Sequence, residues 1–304
     1  MKRLLCSALV LASTLSIVHA ADTQDPLTKP APAEKKWTEP MPPLRVHGDT
    51  YYVGTVGLSS VLIRTDDGLI LIDGTLPQAA PLIEANIAKL GFKLKDVKYV
   101  LNSHAHSDHA GGIAAIVRDS GATAIASPSG AKAMREGHVV ADDPQASNTE
   151  MASFPAVARV REIHDGEAVR LGKTEVIAHF TPGHTPGSTS WTWVSCEAGK
   201  CVNVVYSDSI SAYASDGFHF LPDATHGDLT AQFRKSIQTV ANLPCDILIS
   251  THPDASDTDE RLAKLAKQRE PNPMIDPQAC RRFAADYDKM LDERIAKEKA
   301  AQPH

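Results

Sequence analysis

The stretch LNSHAHSDHAGG (Leu101–Gly112) sets His104, His106, Asp108 and His109 within six residues, between an apolar run and a Gly-Gly pair. The preceding VKYVL reads as a buried strand, and Ile113 to Val117 as the start of a helix with Gly121 as its stop. In an extended His-x-His segment, alternate residues share a face, so both imidazoles aim the same way. Asp108 and His109, at the start of the helix, point elsewhere. One short loop can therefore feed two neighbouring metals. Neither is complete with two ligands, because an open catalytic zinc site takes three protein groups.

The missing ligands are sought where other apolar strands end. His184 lies in HFTPGHTPGST, directly after VIAHFT, and His252 lies in LISTHPD, directly after a buried run. The pattern assigns His104, His106 and His184 to a first zinc, and Asp108, His109 and His252 to a second. Imidazole and carboxylate without sulfur suit this metal. Two such ions about 3.5–4 Å apart make a nucleophilic hydroxide near neutral pH and clamp developing negative charge. That chemistry fits hydrolysis of an amide, ester, thioester or phosphodiester, and the spacing does not choose among them. The remaining histidines (His19, His47, His138, His164, His179, His219, His226 and His304) show no partner pattern and read as ordinary side chains.

Before the cluster, LRVHG, TYYVG, SSVLIRT and LILIDG read as hairpins of an antiparallel sheet, and Pro77 to Leu90 as a helix ending at Gly91. After it come the strand ATAIAS and a small helix near Gly130 to Arg135. A second half then offers VREIHDG, AVRLG, TEVIAHFT, STSWTWVS and VNVVYS as strands. The helix Asp228 to Asn242, the strand CDILIS, and helices Thr258 to Gln268 and Gln278 to Lys297 complete it. Strands then helices, twice over, imply two sheets face to face with helices outside.

Residues 1–20 have Lys2 and Arg3, an apolar run and Val18-His19-Ala20, the pattern of a cleavable export signal. Residues 21–43 read as an extended Pro-rich arm in which Trp37 either docks on the body or lines a pocket. Residues 44–304 then form one domain. The 304-residue chain carries a net charge of -6. Loss of Lys2 and Arg3 leaves 29 of the 31 basic residues against 37 acidic ones, or -8. Such a chain has no general pull on nucleic acid or anionic lipid. Export makes the cysteines disulfide candidates. Four remain after the leader, with three possible pairings. Cys196 and Cys201 flank Glu-Ala-Gly-Lys between two strand-like runs, which pairs them across a hairpin and leaves Cys245 with Cys280. The second link is worth ~3–4 kcal/mol on loop-entropy grounds.

The HxHxDH motif, TPGHTPGST and the strand-end His252 resemble the metallo-β-lactamase superfamily, from about Trp37 to the C-terminal helix. The resemblance implies an α+β four-layer αβ/βα sandwich with two mixed sheets face to face. YSDSISA has Ser209 where other lactamase subclasses place a cysteine ligand. With His104 intact, WTEPMPPLRVHGDTYYVGT and ANLPCDILISTHPDAS, the chain looks most like subclass B3. CEAGKC resembles an extra hairpin disulfide of some members. The resemblance implies that Ser209 binds metal-held water or the substrate carboxylate and that Ser211 contacts that carboxylate. Asp108 and His184 take catalytic roles. It further implies two Zn2+ per chain, a hydroxide attacking the lactam carbonyl of penicillins, cephalosporins or carbapenems, a periplasmic monomer, and a small-molecule substrate with no nucleic acid or membrane partner. Three alternatives remain. One is a glyoxalase II-type thioesterase, for which Asp208 could be mistaken for a bridging aspartate. The others are a zinc-binding protein without catalysis and a nucleic-acid-processing enzyme.

Overall fold

A computed structural model describes residues 36–301. The leader, the first part of the Pro-rich arm and His304 lie outside the described residues. The first sheet opens with β1 (Leu44–His47), β2 (Thr50–Tyr52), β3 (Val61–Thr65) and β4 (Gly68–Ile72), an antiparallel meander. Helix α1 (Ala80–Lys89) follows a 3-10 turn at Pro77–Ala79 and crosses to β5 (Val97–Leu101), which runs parallel to β4. Then come α2 (Ser107–Ala110), α3 (Ile113–Ser120), β6 (Thr123–Ala126) and α4 (Pro128–Glu136). Gly121 closes α3 in the left-handed conformation (φ 82°), as its place in the sequence suggests.

β7 (Val160–Glu162) pairs parallel to β6 and finishes the first sheet, in the order β1-β2-β3-β4-β5-β6-β7. VREIHDG therefore belongs to the first half rather than the second. The second sheet takes β8 (Ala168–Leu171), β9 (Thr174–Phe180), β10 (Thr189–Glu197) and β11 (Lys200–Ser207), all antiparallel. After α5 (Thr230–Asn242), β12 (Ile247–Ser250) joins β11 in parallel. Helices α6 (Thr258–Leu265) and α7 (Ala279–Ala301) end the described chain. The helix expected from Asp228 starts at Thr230, because the Asp228 carboxylate accepts the Thr230 N–H (2.8 Å) just ahead of it.

Residue alternation decides which layer each strand faces. In β4, Ile70 and Ile72 join the core between the sheets, while Leu69 and Leu71 face α1 and α3. In β11, Val204 and Tyr206 point to the inter-sheet core, and Val205 packs outward with Phe233 of α5 and Phe283 of α7. The result is helix, sheet, sheet, helix. Trp191 and Trp193 of β10 are buried at the centre, and each satisfies its polar handle. Trp191 Nε1 donates to Asn102 O (3.2 Å) and Trp193 Nε1 to Thr50 Oγ1 (2.9 Å).

The Gly-Gly pair after the histidine cluster has a packing cause. A Cβ on Gly112 lies 2.1 Å from Gly74 O, so only glycine lets α3 start this close to the end of β4. The disulfides join Cys196 to Cys201 across the β10–β11 hairpin (Cα–Cα 4.0 Å) and Cys245 to Cys280 (6.3 Å). Trp37 is buried against Leu58, Leu76 and Ala79, so at least the end of the arm docks on the body. No helix among the described residues is long and apolar enough to cross a membrane.

The loop between β11 and α5 is held by α7. Glu298, only 4% exposed, accepts the N–H groups of Phe220 (2.9 Å) and Leu221 (2.9 Å) and the Nε of Arg294 (2.6 Å). Burial alone pushes the Glu298 carboxyl up, but Arg294 and the two backbone donors outweigh it and hold the group below its ordinary 4.5. A depressed folded pKa means that the stabilisation is present above the unfolded value and fades as pH falls through the folded one. Glu298→Gln is therefore expected to destabilise by about 1.5–3 kcal/mol at pH 7, the scale of hydrogen bonds to a charged group. Urea unfolding of both proteins at pH 7 and pH 3 checks this, the difference shrinking at the lower pH.

Candidate metal centre

Four strand ends on one edge of the sandwich carry the site. β5 delivers His104, His106, Asp108 and His109, β9 leads into the turn with His184, β11 into Asp208 and Ser209, and β12 into His252. The loop after β5 is fixed from below by Asp73 at the end of β4. Asp73 accepts the Ser103 N–H (2.8 Å), Ser103 Oγ (2.6 Å) and Tyr206 Oη (2.9 Å), all buried. Asn102 Nδ2 donates to His104 O (2.7 Å) and rigidifies the same loop.

The imidazoles of His104, His106 and His184 meet edge to face. Ring centroids are 4.7 Å apart for His104–His106, 4.9 Å for His104–His184 and 5.1 Å for His106–His184. One donor atom from each lies within 4.8 Å of the others. Next to them, His109 Nε2 is 3.2 Å from His252 Nε2, and Asp108 Oδ2 is 3.3 Å from the first and 3.4 Å from the second. His104 and His109 rings are 4.3 Å apart, so the two groups adjoin. The fold thus brings together all six residues named as ligands from the sequence. The other described histidines stay outside. His47, for example, faces Glu197, and His179 faces Thr192 Oγ1.

The supporting groups were harder to see in the sequence. Asp208 Oδ1 accepts from His104 Nδ1 at 2.6 Å, Asp143 Oδ1 from His106 Nε2 at 3.1 Å, and Ser211 O from His184 Nδ1 at 3.1 Å. Each contact sits on one ring nitrogen and turns the other toward the cluster, the arrangement that orients histidine ligands. Asp208 lies beside Ser209 in SDS and Asp73 closes LILIDG, so both had a strand-end signal like that of His184. Asp143 and Gln145, in ADDPQ, had none. Ser209 Oγ meets Thr251 Oγ1 (2.8 Å), and Ser211 Oγ sits 3.2 Å from His184 Nδ1, so both serines reach the site.

The donor set fits divalent metal. His104 Nε2 and Asp108 Oδ1 are buried and make no hydrogen bond within the protein, a costly state for polar atoms unless something else occupies them. Burial, then the neighbouring imidazoles, pushes His104 well below the ordinary histidine range and His184 down to about 3. Both are neutral and offer lone pairs at pH 7, as metal binding needs. Burial raises Asp108, but His109 and His252 outweigh it and hold the carboxylate ionised.

His106, Asp108, His184 and His252 open into a cleft of about 840 Å³, which Trp37, Gln145, Tyr213 and Met290 also line. The Trp37 ring stands 5.7 Å from that of His252. Trp37 thus both docks on the body and walls the pocket.

The profile of the metallo-beta-lactamase superfamily matches residues 53–196. MEM-A1, a subclass B3 metallo-beta-lactamase from a soil metagenome library, is 47% identical, with 88% of this chain and 100% of that one covered and a TM-score of 0.84. The Rm3 metallo-beta-lactamase is 45% identical, covering 89% and 100% at a TM-score of 0.85. Among curated proteins, a hydroxyacylglutathione hydrolase of Rhodopseudomonas palustris (strain HaA2) is 34% identical over 131 residues, 43% of this chain. That match spans 41% of the relative's own length. Agreement in sequence and fold over 88% of the chain places it in the metallo-β-lactamase superfamily, alongside its subclass B3 members.

Proposed function

We propose that the protein is a zinc-dependent β-lactamase that hydrolyses the amide bond of β-lactam antibiotics. The observation that carries this is the convergence of two adjoining three-ligand groups at the floor of an open cleft, with His104 Nε2 buried and unpartnered. His104, His106 and His184 would hold one zinc, and Asp108, His109 and His252 a second. When bound, the pair supplies Lewis acidity and a water nucleophile ionised near neutral pH.

The chain's own groups do the rest. Asp208, Asp143 and Ser211 O fix the tautomers of His104, His106 and His184, so that one lone pair of each faces inward. Ser209 and Ser211 orient the substrate carboxylate beside His184, in place of the cation that this stretch lacks. Ring opening moves one proton from the attacking water to the lactam nitrogen. Asp108, whose side chain lines the cleft, is placed to carry it. Trp37 shields His252 from bulk water on one side. The leader pattern supports export to the periplasm, where the enzyme meets antibiotics and confers resistance.

The partial likeness to hydroxyacylglutathione hydrolases favours a thioesterase as the second reading. Against it, that likeness covers only 43% of this chain, whereas the likeness to β-lactamase structures covers 88%. Purified protein is expected to hydrolyse nitrocefin and a carbapenem, to lose the activity to a chelator and to regain it with zinc. Turnover of S-lactoylglutathione with no β-lactam hydrolysed sinks the proposal.

A further inference from the structure

Four large apolar side chains stand exposed among the described residues: Val194, Tyr213, Ile275 and Met290. Two of them, Tyr213 (63% exposed) and Met290 (49%), line the cleft that also contains His106, Asp108, His184 and His252. They come from separate elements, the loop after β11 and helix α7, and converge only through the fold.

Neither can withdraw easily. Tyr213 is two residues beyond Ser211, which is bound to His184, and two before Ser215, whose N–H donates to Pro144 O at 2.9 Å. The backbone on both sides is therefore pinned. Met290 precedes the fully buried Leu291 on a helix tied down by the Cys245–Cys280 disulfide. On the next turn, Arg294 is committed to Glu298 and Phe218 O, and its guanidinium lies over the Phe220 ring. Its charge is engaged there rather than offered to an anion at this rim. Apolar surface held open beside a polar floor marks where the apolar part of a ligand rests.

We propose that Tyr213 and Met290 form the seat for a large apolar, preferably aromatic, substituent of the substrate and so set which β-lactams turn over well. This rests on the β-lactamase reading of the site. Within that class the reacting ring and its carboxylate are shared, and the side arm varies. The histidine floor and the serines address the shared part. The rim, two residues past Ser211, is the part placed to meet the arm.

The test compares kcat/KM for benzylpenicillin, which has a phenylacetyl arm, with that for 6-aminopenicillanic acid, which has none, using the full chain with zinc. Wild type is expected to prefer benzylpenicillin. Tyr213→Ala and Met290→Ala each cut that preference roughly tenfold, the scale of losing a hydrophobic contact in a pocket. The change falls on KM rather than kcat. Tyr213→Phe keeps the preference, because the ring and not the hydroxyl makes the contact. Val194→Ala, on the outer face of β10 and away from the cleft, behaves as wild type. An unchanged preference in both cleft alanine variants, or an equal fall in Val194→Ala, overturns the inference. Wild-type protein that hydrolyses neither compound defeats the reading of the site itself, and the inference with it.

Discussion

His184→Ala is expected to lower kcat/KM for β-lactams by on the order of a thousandfold or more, at least the loss seen when one group that meets developing charge is removed. The ring closes the three-imidazole group, and its Nδ1 is already held by Ser211. Gln145, whose amide lies 3.4 Å from His184 Nε2, has only a neutral amide oxygen to offer in its place, a weaker donor than imidazole. The fold is expected to survive. The turn around His184 is closed by Thr181 N–H to Ser188 O (2.9 Å), Gly183 N–H to Thr185 O (3.1 Å) and Thr185 N–H to Ser188 Oγ (3.1 Å), none of which involves the imidazole. Steady-state rates with zinc in excess, beside a thermal unfolding curve, separate the two effects. A rate within tenfold of wild type contradicts the assignment of His184.

Trp191→Ala produces the largest expected loss of stability. The side chain is fully buried between the sheets, in the cluster that includes Ile72, Leu101 and Tyr206. Truncation leaves a cavity that rigid strands on both sides cannot fill, at a cost of about 3–5 kcal/mol. Tm should fall by roughly 10 °C for a chain of this size. Trp191→Phe keeps most of the volume and loses the indole donor to Asn102 O, costing about 1–3 kcal/mol. Asn102 also braces the His104 loop through its side chain, so the milder variant is expected to weaken metal retention as well. Calorimetry on the three proteins gives the order wild type, Phe, Ala. Equal Tm values for wild type and Trp191→Ala contradict this packing account.

The sequence exposed the site better than its frame. The six ligand candidates share one local form, an apolar strand running into small residues and then histidine, and this form survives without knowledge of the fold. Ser209 and Ser211 came from the family resemblance, and the fold sets both beside His184 or Thr251. The groups behind the ligands were less visible, because Asp143 and Gln145 sit in a long loop whose approach to His106 and His184 is purely tertiary. The same limit applies to β7. Its letters read as a strand, but only the parallel register with Ala124–Ala126 assigns it to the first sheet. Several helix ends moved by one to four residues, and at α5 the cause is the Asp228 side chain, which accepts the Thr230 N–H.

The cluster of His104, His106, Asp108, His109, His184 and His252 is expected to hold metal in the active protein. Elemental analysis of the purified protein, before and after chelation and with nitrocefin rates measured on the same samples, tests it. Two zinc equivalents per chain that leave together with activity, and return together with it, are the predicted result. Full activity in protein stripped of metal contradicts the account.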